Sequence, residues 1–164
     1  MHISVLLNES IEGLNLKEDG IYVDCTLGYA GHSSEILKRI RRGCLFAIDQ
    51  DEDAIKASRE RLSKIGDNFT IIKSNFSNLK QELTKRGVTS VDGFLFDLGV
   101  SSVQLDTKER GFSYHSDAFL DMRMDKDGSL TAYDVVNNYP EEKLTNILYK
   151  YGEEKYSRQI ARNI

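Results

Sequence analysis

The feature that most narrows the folds open to this chain is an alternation of two hydrophobic periods. Short runs rich in β-branched and aromatic residues span Ile21 to Cys25, Cys44 to Asp49, Phe69 to Ile72 and Val91 to Asp97. Between them lie longer stretches whose apolar residues recur at helical spacing. Ser34 to Arg41 sets Ile36, Leu37 and Ile40 on one face, and Asp53 to Ile65 does the same with Ala54, Ile55, Ser58, Leu62 and Ile65. A third helical stretch lies around Asn78 to Arg86, with Gly87 as a natural stop. Repeated β-then-α units predict an α/β fold around a parallel sheet. With 164 residues, 40% of them hydrophobic, one such core plus an appendage is the expected size.

Beyond Asp97 the pattern changes. The stretch LGVSSVQLDTKERGFSYHSDAFLDMRMDKDGS has turn formers and charges but no sustained period, so it reads as a long loop of the kind that tends to carry function. From Thr131 the helical period returns, with Pro140 suited to a first turn and Leu144, Ile147, Leu148 and Tyr151 forming a stripe. Tyr156, Ile160 and Ile164 then fall at i, i+4, i+8, after which the chain stops without a cap.

Charge and cysteine usage exclude several classes. A formal net charge of -4 argues against a chain that grips nucleic acid by net charge alone, so such a substrate needs a local basic surface. Lys38 to Arg42, KRIRR, is the one candidate phosphate contact, although a basic helix end is ordinarily a partner of the helix dipole. Cys25 and Cys44 lack CxxC spacing and clustered histidines, so no metal site is expected and both read as buried thiols. No eighteen-residue apolar run occurs, and the opening MHISVLLNES has no basic leader or small-residue cleavage site, so a cytoplasmic protein with no membrane partner is expected.

In an open parallel sheet, ligands bind beyond the carboxyl ends of the strands, so the residues just after each strand are the ones to inspect. After the first comes DCTLGYAGHSSEIL, where Gly28, Ala30 and Gly31 make a small-residue turn that lets a ligand approach backbone. A glycine turn alone is equally a plain strand-to-helix connection. The second strand ends at Asp49, about twenty residues on, where a carboxylate can accept from both hydroxyls of a ribose. The neighbouring Asp51, Glu52 and Asp53 leave open a merely solvated acidic end. Turn and acid together specify an adenosine-type ligand. Because the turn lacks GxGxxG, a cofactor without phosphate, such as S-adenosylmethionine, fits better than a dinucleotide. Phe76, in SNFSNL, could cover an adenine ring or be plain core. Asp97, at the end of the fourth strand, is placed to orient an attacking amine.

DCTLGYAGHS, the acid at Asp49, SNFSNL, DLGVSSVQLD, ERGFSY, LDMRMD and YGEEKYSRQIARNI together resemble the ribosomal RNA small subunit methyltransferase H family, also called the MraW family, over essentially the whole chain. The resemblance implies a Rossmann-like S-adenosylmethionine-dependent methyltransferase fold and a substrate, the exocyclic amino nitrogen of a cytidine in small-subunit ribosomal RNA. By matching motif positions it implies cofactor contacts at Ala30, Gly31, His32, Asp49, Phe76, Asp97 and Gln104, beside Gly28 from the turn itself, with Asp97 also catalytic. It implies an S-adenosylmethionine-binding α/β domain over residues 1–105 and the beginning of a helical, substrate-side insert over 106–164. The implied strand order is third, second, first, fourth.

The chain departs from the family pattern in three ways. Ala30 replaces a usual glycine, which is tolerable at negative φ, and Val103 replaces a usual proline, which loosens the loop holding Gln104. The third is length, since family members run to nearly twice this size. The sheet is therefore expected to be incomplete, with the chain ending inside the insert and self-associating through an unpaired strand edge. Two other readings stand beside the enzyme: a truncated cofactor-binding module that does not turn over, and a nicotinamide-dependent oxidoreductase, which the absent GxGxxG disfavours.

Overall fold

A computed structural model describes residues 4–164, which divide into two compact units meeting after Ser101. The first opens with a short helix, α1 (Leu7–Gly13), and continues as β1 (Ile21–Asp24), α2 (Gly31–Arg39), β2 (Cys44–Asp49), α3 (Glu52–Ser63), β3 (Phe69–Lys73), α4 (Leu79–Thr84) and β4 (Gly93–Leu95). All strand pairings are parallel and the order is β3-β2-β1-β4. This is a parallel α/β sheet, as the alternation of periods predicts, and its Rossmann-like order is the one the family resemblance implies.

The pleat explains why the strands read as continuous apolar runs. Tyr22, Leu45 and Ala47 turn to one face, where they pack with Ile11 of α1, Ile36 and Leu37 of α2, and Ile55 and Leu62 of α3. Val23, Phe46, Ile48 and Ile72 turn to the other, against Leu83 of α4. Each fully buried Leu or Ile contributes about 1.5–3 kcal/mol, so the two faces together hold β1 and β2 at the centre of the unit.

Three elements differ from the sequence expectation. α1 was not anticipated; its Leu7, Ile11 and the following Leu14 meet the first cluster. α2 begins three residues before Ser34, because Ala30 takes a left-handed conformation (φ 59°) and acts as its N-cap. β4 was expected over Val91 to Asp97, with its far edge unpaired. It is three residues long, and β1 is its one partner among the described residues, with Leu95 buried and Phe94 46% exposed.

The second unit, from Ser102, contains α5 (Ser102–Asp106), α6 (Ala132–Asn138), α7 (Glu141–Gly152) and α8 (Ser157–Asn163). The stretch read as a long loop is organised by two arginines. Arg110 is buried and donates to the carbonyls of Arg123 (2.9 Å) and Met124 (3.2 Å). Arg123 grips both oxygens of Asp121 at 2.7 Å and reaches the carbonyls of Lys126 (3.0 Å) and Gly128 (2.6 Å). The ERGFS and LDMRMD motifs therefore bind to each other. α6 begins at a capping box in which Thr131 and Asp134 satisfy each other's backbone N–H groups. α7 and α8 form a helix pair in which Leu144 and Ala161 are buried, and Pro140 is the residue before α7 rather than inside its first turn. No helix of the described residues is long and apolar enough to cross a membrane.

Candidate functional site at the carboxyl edge of the sheet

The turn between β1 and α2 is held on every side. Gly28 takes φ 48°, a left-handed conformation that favours glycine, and its N–H donates to Asp49 Oδ2 at 2.8 Å. Its carbonyl accepts from the fully buried Ser58 hydroxyl of α3 at 2.7 Å, and Arg61 of the same helix donates to the Tyr29 carbonyl at 3.0 Å. Ser58, which the helical period places on an apolar face, is there to satisfy a backbone acceptor.

Asp49 is more than a solvated strand end. Its other oxygen accepts from the Asp51 N–H at 2.9 Å, and burial pushes the carboxyl above its ordinary value against the pull of these backbone donors. The run that left the solvated reading open has its own structural use: Asp51 is the buried N-cap of α3, accepting from Asp53 N–H at 3.1 Å, and Glu52 and Asp53 favour the positive end of the helix.

Two of the small residues face the protein rather than open space. Ala30 is fully buried in the core, and its φ is positive, so the condition under which alanine is easily tolerated there is not met. Left-handed backbone costs an L-residue roughly 1–2 kcal/mol, and the turn holds Ala30 to it through the Ala30 N–H bond to the Leu27 carbonyl (2.9 Å). Gly31 is small because the Ser4 side chain fills the space a Cβ would take. Gly28 alone of the three combines a left-handed φ with open surroundings.

His32 is buried at the start of α2, with Nε2 3.1 Å from the Val5 carbonyl and Nδ1 3.8 Å from Asp97 Oδ2. A carbonyl only accepts, so Nε2 carries a hydrogen and Nδ1 is the atom turned to Asp97. Asp97 is half-exposed, and its backbone N–H donates to Thr26 Oγ1 at 2.7 Å. Phe76 opens a 3-10 turn capped by Asn75 and is 41% exposed, so it is not core. Its ring meets Phe96, 48% exposed, edge to face at 5.8 Å. The structure thus gathers Gly28, His32, Asp49, Phe76 and Asp97 along one sheet edge. Gln104 belongs to the second unit, where it is buried on α5; Val103 lies in the same helix and not in a loop.

Sequence reasoning missed three residues here. Asp24, at the tip of β1, is 1% exposed and accepts from Ser33 Oγ (2.6 Å) and Thr26 N–H (3.1 Å). Burial, with a smaller contribution from the Asp49 charge, pushes its carboxyl above 3.8. Thr26 and Phe96 are the others. An acid inside an apolar strand was the available signal for Asp24; nothing local distinguishes Thr26 or Phe96.

Both cysteines are free, Cys25 buried and Cys44 only partly so, which corrects the reading of both as buried. Lys38 and Arg39 pair with Glu35 one turn back, the ordinary use of a basic helix end.

A parallel sheet of this order with acids at the tips of its strands defines a Rossmann-like α/β protein with a candidate site at the carboxyl edge. The chain belongs to the MraW methylase family, whose model matches residues 1–164. It is 60% identical over 164 residues to a protein of Mesoplasma florum named ribosomal RNA small subunit methyltransferase H, covering 99% of this chain and 53% of that one. It is 61% identical over 163 residues to the protein of the same name from Exiguobacterium sibiricum, covering 99% and 52%. The chain spans about half the length of these curated relatives. Among solved structures, an rRNA methylase from Streptococcus thermophilus superposes with a TM-score of 0.51 at 23% identity, over 65% of this chain and 62% of that one, which is a likeness of fold.

Proposed function

We propose that this chain is the cofactor-binding part of an S-adenosylmethionine-dependent methyltransferase that acts on the exocyclic amino nitrogen of a cytidine in small-subunit ribosomal RNA, in the cytoplasm. The observation that carries the cofactor assignment is that the N–H of Gly28 donates to the Asp49 carboxylate. In a dinucleotide site the turn's amides cradle a pyrophosphate. Here a carboxylate takes one of them, and Asp24 and Asp49 make the edge acidic, which repels a phosphate and attracts a sulfonium and an ammonium.

The residues present fit such a cofactor. Asp49 keeps lone pairs for ribose hydroxyls while its backbone donors fix its direction. The exposed Phe76–Phe96 pair offers apolar surface for an adenine. The family resemblance implies further contacts at Ala30, Gly31, His32 and Gln104, although here Ala30 is buried in the core and the Ser4 side chain fills the space beside Gly31. S-adenosylmethionine supplies an electrophilic methyl on sulfur. Asp97 holds the amine, whose lone pair is delocalised into the ring, in line for attack and accepts the proton it loses. The target base must be presented out of its stack. The relatives' names support ribosomal RNA as substrate, and the family resemblance supports the cytidine amino nitrogen.

Calorimetry tests the cofactor: S-adenosylmethionine and its demethylated product are expected to bind and NAD is not, and tighter NAD binding would overturn the assignment. Labelled methyl transfer to small ribosomal subunits tests the reaction. In the full-length context and at saturating cofactor, Asp97→Ala is expected to lower the rate more than Asp49→Ala does; equal losses would confine Asp97 to cofactor binding. A second reading, a module that binds cofactor without turning over, draws on the share of its relatives that the chain spans. Binding without transfer would establish it.

A further inference from the structure

Thr26, which holds the Asp97 N–H, and Ser33, the neighbour of His32, both donate to one buried carboxylate. Asp24 accepts from the Thr26 N–H and from the Ser33 hydroxyl, so it fixes the tip of β1 and the first turn of α2 together. Thr26 then accepts the Asp97 N–H through Oγ1, at 2.7 Å, and His32, next to Ser33, faces the Asp97 carboxylate at 3.8 Å. β4 ends at Leu95, so the sheet ladder does not extend to Asp97. The Cys25 N–H to Leu95 carbonyl bond is the last backbone link between the two strands, and the Thr26 hydroxyl continues the pairing where backbone no longer does.

We propose that Thr26 is a positioning residue: its hydroxyl, carried on a backbone that Asp24 holds, sets the direction from which the Asp97 carboxylate meets the sulfonium end of the cofactor. This rests on the cofactor assignment above. A threonine side chain suits the task because a β-branched residue is stiff at χ1, so an oxygen aimed by its backbone stays aimed. The backbone is itself held, because the Thr26 N–H is spent on Asp24.

The sulfonium of S-adenosylmethionine carries a positive charge that its demethylated product lacks, so a displaced Asp97 weakens the first ligand more than the second. A merely structural role would weaken both equally. The test is calorimetry of both ligands on Thr26→Val, which keeps shape and loses the hydroxyl, and on Thr26→Ser, which keeps it. Thr26→Val is expected to lose about 10-fold in S-adenosylmethionine affinity, the size of one hydrogen bond to a critical group, with less than about 3-fold for the product. Thr26→Ser is expected to match the parent for both. Amide exchange at Asp97, read without ligand, is expected to quicken about 10-fold in Thr26→Val and not in Thr26→Ser.

Equal loss of both ligands in Thr26→Val, or no loss, overturns the proposal, as does a Thr26→Ser variant as impaired as Thr26→Val. If the parent binds neither ligand, the cofactor assignment fails instead, and the Asp97 amide still decides whether Thr26 holds that residue. A Thr26→Val chain that does not fold leaves Thr26→Ser and the parent to compare. Thr26→Ala, which also lacks the hydroxyl, then takes the place of Thr26→Val: selective loss of S-adenosylmethionine is expected, and equal loss of both ligands or no loss overturns the proposal.

Discussion

Asp49 sits where three demands meet: it accepts from Gly28 and Asp51, is largely buried, and has lone pairs left for a ligand. Asp49→Ala is expected to cost on the order of 1.5–3 kcal/mol of S-adenosylmethionine affinity, the range for hydrogen bonds to a charged acceptor. A dissociation constant unchanged in calorimetry would reduce Asp49 to a brace for the turn. Asp24 makes a prediction of a different kind. Burial raises its carboxyl above 3.8 in the folded chain, so in the window that opens upward from 3.8 the native state binds more protons than the unfolded one. Stability contributed by this group is present below that window and lost as pH rises through the folded value. Denaturant midpoints over a pH series are therefore expected to show the parent losing stability relative to Asp24→Asn as pH rises from about 4. Parallel curves would mean that the donors on Asp24 offset its burial completely. Taking the difference matters, because carboxylates held low by cations, such as Glu35 beside Arg39 and Lys38, slope the other way. Burial also pushes the Cys25 thiol up to about 12, so it is inert toward thiolate chemistry at neutral pH in the folded chain.

At the scale of elements, the strands were legible because both faces of the sheet are covered, and β2 was read to its exact ends, Cys44 and Asp49. α1 was not, since seven residues are too few for a convincing period. The stretch from Leu98 to Thr131 is mostly loop, as read, but its order was not legible for a physical reason: it comes from arginines bonding backbone carbonyls, which leaves no local period. Arg123 is the clearest case, with a bidentate grip on Asp121 and two further carbonyls. A lysine keeps the charge but has no planar fork. Arg123→Lys is expected to open the 121–128 segment to limited proteolysis while leaving the first unit's far-UV signature intact. Unchanged cleavage would show that the segment is held by its other bonds.

For the whole molecule, the β4 edge carries the main consequence. Among the described residues β4 pairs with β1 alone, and Phe94 and Phe96 lie 46% and 48% exposed along it. An unpaired row of N–H and C=O groups beside exposed aromatics is a template for another strand. The chain is expected to associate with itself in a concentration-dependent way in sedimentation, and Phe94→Lys is expected to shift it toward monomer, since edge lysines block strand addition. A monomer at every concentration, or association indifferent to the lysine, would rule the edge out. A methyl-transfer assay on the same samples is expected to find the chain inactive alone.

The sequence by itself determined the α/β class, the four strands, the crossover helices and the placing of Gly28, Asp49 and Asp97 after strand ends, because each of these is written in a local period or a strand-end position. The family motifs added the strand order and His32. Tertiary structure alone decided what each small residue is for: Gly28 for a left-handed turn, Gly31 for Ser4, and Ala30 held at a positive φ against its preference. It also decided that Phe76 faces solvent beside Phe96, and that Thr26, held by Asp24, accepts from Asp97 while His32 faces its carboxylate. Those facts depend on hydrogen bonds and contacts between residues as many as 71 positions apart, which no window along the chain contains.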